Sequence, residues 1–217
     1  MKVDMHIHTF RSVDSVIIRK DVEKVISKGI IDLVAITDHD SAKGWDDFKD
    51  MNVIRGIEKT IIEEDGNEFH LLIYFANEYI ESKNFYEVVD AAKAQDAIVS
   101  IAHPFDILRK APKNINKYIK HVDGLECFNS RERVPGANKK AMTRAKSDMK
   151  LMTAGSDAHY ASEIGNAYVK CDASDIEEFR KKLVNREVQI DGKKVGIDVR
   201  INAILRRIGL IRPPANI

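Results

Sequence analysis

The 217-residue chain has only two cysteines, a single tryptophan and few aromatic residues, 7% in all. Cys127 and Cys171 are far apart and form no CxxC pair, so neither a disulfide framework nor a thiolate metal site is indicated. Both are read as reduced and buried. No apolar run approaches the roughly 18 residues that a membrane helix requires. The opening MKVDMHIHT lacks the basic and then apolar layout of a secretory signal, which makes the cytoplasm the expected compartment. Linker-like stretches, internal repeats and low-complexity segments are also missing. The length suits one domain over residues 1–217 and suffices for a core that needs no crosslinks. Hydrophobic residues at 44% and charged residues at 32% are those of an ordinary globular protein.

Net charge is only +1, but it is unevenly spread. Phe105–Lys120 carries Arg109, Lys110, Lys113, Lys117 and Lys120 against Asp106 alone. Arg131–Lys150 is similarly basic, whereas Asp46–Glu68 is acidic. Such runs are commonly solvated helix faces, and their meaning depends on what lies beside them.

Short apolar runs alternate with helix-patterned stretches. Strands are expected at Val3–His8, Ile31–Thr37, Val53–Glu58, Phe69–Phe75, Ala97–His103, Gly124–Phe128 and Leu151–Ser156. "DLVAIT" and "AIVSIA" are apolar on both faces, as fully buried parallel strands are. Helices are expected at Lys20–Lys28, Trp45–Asp50, Asn84–Gln95, Asn114–His121 and Ala137–Asp148. Repeated strand–helix units imply a parallel sheet, and about seven of them suggest a barrel. A helical extension from about Ser174 to Asn185 and a basic tail with Arg206, Arg207 and Arg212 are expected to close the chain, the tail packing outside.

Six of the seven histidines sit at an end of an apolar run: His6, His8, His39, His70, His103 and His159. His121, in a lysine-rich helical stretch, reads as a surface residue. In a parallel barrel the C-terminal strand ends share one face, where catalytic groups collect. Two imidazoles two residues apart on a strand, as in His6-Ile7-His8, point the same way. Asp157-Ala158-His159 repeats that geometry with a carboxylate. One strand-end histidine is unremarkable, but six joined by Asp38, Glu58 and Asp157 would leave costly unpaired charge unless a metal cluster offset it. Asp38 reads as a residue that orients a ligand or caps its strand, and Asp40 as a turn or capping residue. Glu78 is expected to face solvent and Cys127 to pack in the core.

"DMHIHT", "ITDHD", "IAHP" and "GSDAH" occur in that order over nearly the whole chain, with "GIE" ending at Glu58, "FHLLIYF" and "GLECFNSR" between them. Together they resemble the PHP (polymerase and histidinol phosphatase) superfamily. That resemblance implies a distorted (β/α)7 TIM-like barrel, the PHP fold, with two or three divalent ions (Zn, Mn or Fe) at its C-terminal face. The implied ligands are His6, His8, His39, Glu58, His70, His103, Asp157, His159 and an acid soon after the first motif. Glu58 would bridge two metals, and a bridging water would be held by Glu58, His8 and Asp157. The family often reads HTxxSDG, whereas this chain reads His8-Thr9-Phe10-Arg11-Ser12-Val13-Asp14, with the acid one residue late. Asp14 is the candidate for that position.

The implied activity is hydrolysis of phosphate esters by metal-activated water. The expected substrates are nucleotides, short oligonucleotides or other small phosphorylated molecules, with no membrane and no obligate protein partner. The basic runs follow the strands bearing His103 and Glu126, so they should overhang the metal face and attract anions. Arg131 is the best single candidate for a substrate phosphate contact. The alternatives are a histidinol-phosphatase-type phosphomonoesterase and a non-catalytic, metal-stabilised module. A carbon–nitrogen hydrolase would also begin with HxH, but no lysine stands at a strand-four end for a carbamate bridge.

Overall fold

A computed structural model describes residues 1–196, so Arg206, Arg207 and Arg212 lie outside the described residues. The expected architecture is present: a mixed α/β chain whose sheet curls into a nearly closed barrel. Seven strands fall at the expected places: β1 (Lys2–Ile7), β2 (Leu33–Ile36), β3 (Ile54–Ile62), β4 (Glu68–Tyr74), β5 (Ile98–Ile101), β6 (Gly124–Asn129) and β7 (Leu151–Gly155). Two further strands, β8 (Ala167–Lys170) and β9 (Gln189–Gly192), extend the sheet to the order β7-β6-β5-β4-β3-β2-β1-β8-β9. The helices are α1 (Arg19–Ser27), α2 (Gly44–Asp47), α3 (Phe85–Ala94), α4 (Ile115–Tyr118), α5 (Ala137–Ser147) and α6 (Ile176–Val184).

Strand alternation sorts the apolar residues into two layers. Val3 and Met5, Leu33 and Ala35, and Leu72 and Tyr74 belong to one buried cluster. Their neighbours Val34, Ile36, Leu71 and Ile73 pack in the other, with Val22 and Val25 of α1 and Val88 and Val89 of α3. Both faces of these strands are therefore covered, which accounts for their continuous apolar runs. Asn84 caps α3, its side chain accepting hydrogen bonds from the amides of Tyr86 and Glu87. Phe179 and Leu183 of α6 are fully buried in the cluster of Val3 and Met5, so this helix is part of the core.

The sheet is not uniformly parallel. β4 runs antiparallel to both β3 and β5. The segment between β3 and β4, Glu63–Asn67, is too short for a helical crossover, which takes about a dozen residues. It makes a tight turn instead, with Gly66 at φ 78°. The reversal brings the start of β4, where His70 lies, to the end of the barrel at which β3 finishes, with His70 opposite Thr60.

The barrel closes between β1 and β7. The Asp157 amide donates to the His6 carbonyl at 2.7 Å, and the His8 amide to the Ala158 carbonyl at 2.9 Å. A Cβ at Gly155 would lie 2.2 Å from the Cβ of His6, so only glycine allows this approach.

Candidate metal centre

The six strand-end histidines, Glu58 and Asp157 gather at one end of the barrel, and all but His39 are buried. Glu58 sits at their centre. Its Oε1 lies 2.8 Å from His70 Nδ1 and 3.1 Å from His103 Nε2. Its Oε2 is 3.2 Å from Nε2 of both His6 and His8 and 3.1 Å from Nδ1 of His39. That oxygen faces three imidazole nitrogens yet has no hydrogen bond of acceptable geometry. Asp157 Oδ1, His70 Nε2 and His103 Nδ1 are likewise buried without partners.

Three sets of side chains bring their donor atoms within 4.8 Å of one another: His6, His8 and Glu58; His39, Glu58 and His70; and His8, His39 and His159. Glu58 belongs to two of these and His8 to two. Asp157 Oδ1 lies 3.4 Å from His8 Nε2 and 3.5 Å from His159 Nδ1. Asp14 reaches the rim despite its offset, its Oδ2 3.1 Å from His159 Nε2 and 3.7 Å from His39 Nε2. Turn bonds from the Ser12 amide to the Thr9 carbonyl and from the Ser15 amide to the Ser12 carbonyl fold the intervening loop back.

Electrostatics polarise the cluster. Burial disfavours charge on Glu58, but the surrounding His70, His6 and His39 outweigh it and hold the carboxyl well below its usual range. Burial likewise opposes the Asp157 charge, and Arg109 and His6 overcome it. His39 is pushed up to about 10, because Glu58 and Asp14 more than offset its burial. His103 is driven down to about 4 by burial and by the nearby Arg109. Ionised carboxylates among imidazoles form a donor set suited to Zn, Mn or Fe. The orphaned Glu58 and Asp157 oxygens are the donors such ions would satisfy.

Asp38 stays out of the cluster and organises the loop after β1. It accepts hydrogen bonds from the Thr9 amide at 2.7 Å, the Thr9 hydroxyl at 2.8 Å and the Ser12 hydroxyl at 2.7 Å. Ser12 Oγ in turn lies 3.4 Å from His8 Nδ1 and accepts from the His39 amide at 3.1 Å. Asp40, at φ 43°, accepts from the Thr60 amide and pairs with Lys59 at 3.3 Å. Lys59 itself is fully buried but donates to Tyr79 Oη at 3.0 Å, so it offers no bridge at the histidines. Glu78 is exposed and Cys127 is buried in the apolar layer.

Three residues that sequence reasoning did not single out as site residues also hold the cluster. Glu126 Oε1 lies 2.8 Å from His6 Nδ1, and its Oε2 accepts from the His103 amide at 2.7 Å. Asn129 donates to Glu126 Oε2 at 3.1 Å and to Asp157 Oδ2 at 3.0 Å. Arg109 pairs with the same Asp157 oxygen and donates to Asn129 Oδ1 at 3.1 Å. Glu126 closing the apolar run "GLE" was the one available signal. Arg109 stands in a basic run and Asn129 in "GLECFNSR", but nothing local shows that either meets Asp157.

A cavity of about 530 Å³ opens over the cluster, and Val13, Asp14, Arg109, Lys110, Arg131 and Arg133 join the histidines in lining it. Arg131 Nε lies 3.4 Å from Glu163, whose other oxygen accepts from the His159 amide at 2.7 Å. Two residues here, His103 at φ 31° and Asp157 at φ 54°, adopt left-handed backbone, a strain that clusters at functional sites.

Comparison with known proteins bears on the family and the fold. Residues 135–188 match the family model described as PHP-associated. An uncharacterised protein of Methanocaldococcus jannaschii is 34% identical over 186 residues, which cover 82% of this chain and 73% of the relative. A two-domain protein from Bacteroides vulgatus, containing a predicted PHP-like metal-dependent phosphoesterase, superposes with a TM-score of 0.71 at 18% identity, covering 95% of this chain and 69% of that one. Endonuclease Q, solved with a 27-mer duplex substrate bearing an abasic lesion at the active site, superposes with a TM-score of 0.63 at 15% identity, covering 88% of this chain and 57% of that one. At such identities the two structures speak for the fold.

Proposed function

Because the chain belongs to the PHP superfamily, we propose that it is a hydrolase of phosphate esters that uses bound divalent metals, acting on nucleotide-like or other small phosphorylated substrates. The observation that carries this reading is Glu58 Oε2, an anionic oxygen aimed at three imidazoles with no hydrogen bond to satisfy it. A buried carboxylate left in that state costs several kcal/mol, on the order of a lost charged hydrogen bond or more, unless a cation completes it.

In this reading His6, His8, His39, Glu58, His70, His103, Asp157 and His159 would hold two ions, and Asp14 with His39 and His159 would complete a third site. Such ions lower the pKa of water and offset charge that gathers on phosphoryl oxygens. The chain's own residues do the rest. Glu58, His8 and Asp157 would hold the attacking water. Glu126 accepts from one ring nitrogen of His6 and so leaves the other facing the cluster. Arg109 and Asn129 occupy Asp157 Oδ2 and leave Oδ1 turned towards the imidazoles. Arg131 lines the cavity, and in this reading its guanidinium holds a substrate phosphate with a two-pronged grip.

Elemental analysis of the purified protein, then a phosphate-release screen over nucleotides, nucleoside bisphosphates, short RNA and sugar phosphates, tests this function. The expected result is at least two ions per chain and chelator-sensitive release from one of these classes. A metal-replete protein inert on all of them would overturn it.

A further inference from the structure

Glu163 ends the single helical turn Ala161–Glu163 between β7 and β8, a place where an acid is ordinarily solvated. Here the residue is fully buried. Its Oε2 accepts the amides of His159 at 2.7 Å and of Tyr160 at 3.1 Å, which fixes the backbone of a candidate metal ligand. Its Oε1 accepts no hydrogen bond among the described residues and lies 3.4 Å from Arg131 Nε. One carboxylate therefore stands between the backbone of His159 and the guanidinium of Arg131.

A buried carboxylate is tolerated where charge and hydrogen bonds offset its lost hydration, and Arg131 is the one ion-pair partner that the described residues give it. The backbone of Arg131 is held without Glu163, its amide donating to Asn129 Oδ1 at 2.9 Å and the preceding Ser130 amide to the Gly155 carbonyl at 3.2 Å. What Glu163 adds is a fixed point on the side chain. Contact through Nε leaves the two terminal nitrogens uncommitted to any carboxylate among the described residues, and these two can act together as a fork. An arginine already held at one point has less rotamer freedom to lose when an anion arrives.

From this geometry we infer that Glu163 is a positioning residue: it holds Arg131 by Nε in the orientation that meets a substrate phosphate, using the same carboxylate that anchors His159. The inference rests on the phosphoesterase reading for the identity of the anion, but the coupling of Glu163 to Arg131 can be measured by binding alone. The opposite role, a carboxylate that merely neutralises Arg131, makes the opposite prediction, since removing its charge would then tighten anion binding.

The test is calorimetric binding of inorganic phosphate to the metal-loaded protein, with metal stoichiometry, thermal melting and turnover of p-nitrophenyl phosphate followed in parallel. Glu163→Gln keeps an oxygen for the two amides and loses the charge facing Arg131. It should weaken phosphate binding about three- to tenfold, the effect of freeing one long side chain, and raise KM more than it lowers kcat, with metal content unchanged. Glu163→Ala also releases the amides and should weaken metal binding as well, so the two variants separate the two attachments. In an Arg131→Ala background, Glu163→Gln should change phosphate affinity by no more than about twofold. Arg131→Lys disturbs the same contact from the cavity side and should cost at least as much phosphate affinity as Glu163→Gln, which keeps the inference testable if the buried variant does not fold. Unchanged or tighter phosphate binding in Glu163→Gln, wild-type affinity in Arg131→Lys, or a loss that persists undiminished without Arg131 would overturn the inference. A parallel loss of metal in Glu163→Gln would overturn it too, and assign Glu163 to His159 alone. Coupled loss of phosphate binding in a protein that hydrolyses no phosphate ester would refute the phosphoesterase reading and leave the role of Glu163 standing.

Discussion

Glu58→Gln is the most demanding test of the metal centre because it changes charge without changing shape. The carboxylate is fully buried and lies within 3.2 Å of five imidazole nitrogens, those of His6, His8, His39, His70 and His103. It contributes to two of the three donor sets, so one substitution touches two ions at once. Each charge-assisted contact is worth roughly 1.5–3 kcal/mol, about ten- to a hundredfold in affinity. Glutamine also turns an amide N–H₂ towards nitrogens that a metal would need, which adds to the loss. Two ions should therefore each bind at least tenfold more weakly, and the metal content after dialysis should fall to one ion per chain or fewer. Plasma emission spectrometry gives the stoichiometry, and phosphate release under saturating and limiting metal gives turnover. Activity should recover partly at high metal concentration, because the imidazoles remain. Full metal content after dialysis, with affinities equal to the wild type, would refute the argument and return Glu58 to the role of a neutralising group among histidines.

Asp14→Ala should lose one ion and leave the others, since among the described residues Asp14 pairs with His39 and His159 and with no other histidine; unchanged stoichiometry by the same spectrometry would assign it to the loop alone. Arg131→Ala should raise the KM for phosphorylated substrates about tenfold or more with metal content intact, and steady-state kinetics at two salt concentrations would check it. Chelation should lower the melting temperature measured by calorimetry as well as abolish turnover, because the emptied centre retains ionised Glu58 and Asp157 in the interior. Gly155→Ala should destabilise the fold by about 3 kcal/mol or more, as overpacking against the His6 backbone does, and urea denaturation would show it.

Five of the site histidines, His6, His8, His39, His103 and His159, are legible in the sequence because each follows a run whose alternation or burial pattern already marks a strand. His70 is informative in a different way. It stands at the start of its run, and only the antiparallel direction of β4 explains why it joins groups from the ends of the others. The short turn containing Asp65-Gly66 is the local cue for that reversal. Strands β8 and β9 are harder to see, being four residues each, with β9 mostly exposed at the sheet's edge. The roles of Arg109 and Asn129 are hidden for a deeper reason: one lies in the loop after β5 and the other ends β6, and their meaning comes from Asp157, just past β7. Glu126 is similar, since its partner His6 lies 120 residues away. The basic runs are visible as charge, but the division between Arg109, paired with Asp157, and Arg131, held by Glu163, is set by tertiary packing.

The hairpin of β3 and β4 acts as a ruler for the metal centre. Glu58 and Thr60 on one strand face Leu72 and His70 on the other, so Glu58 and His70 share a face two positions apart. A residue inserted in the turn at Gly66 lies beyond both and leaves their alignment untouched. A residue inserted between Phe69 and Leu72 shifts the pairing by one and sends the imidazole to the opposite face, where α3 packs. Length variation among chains of this kind should therefore collect at the turn and be excluded from the few residues on either side of His70. That asymmetry can be scored in a library of single-residue insertions selected for metal retention.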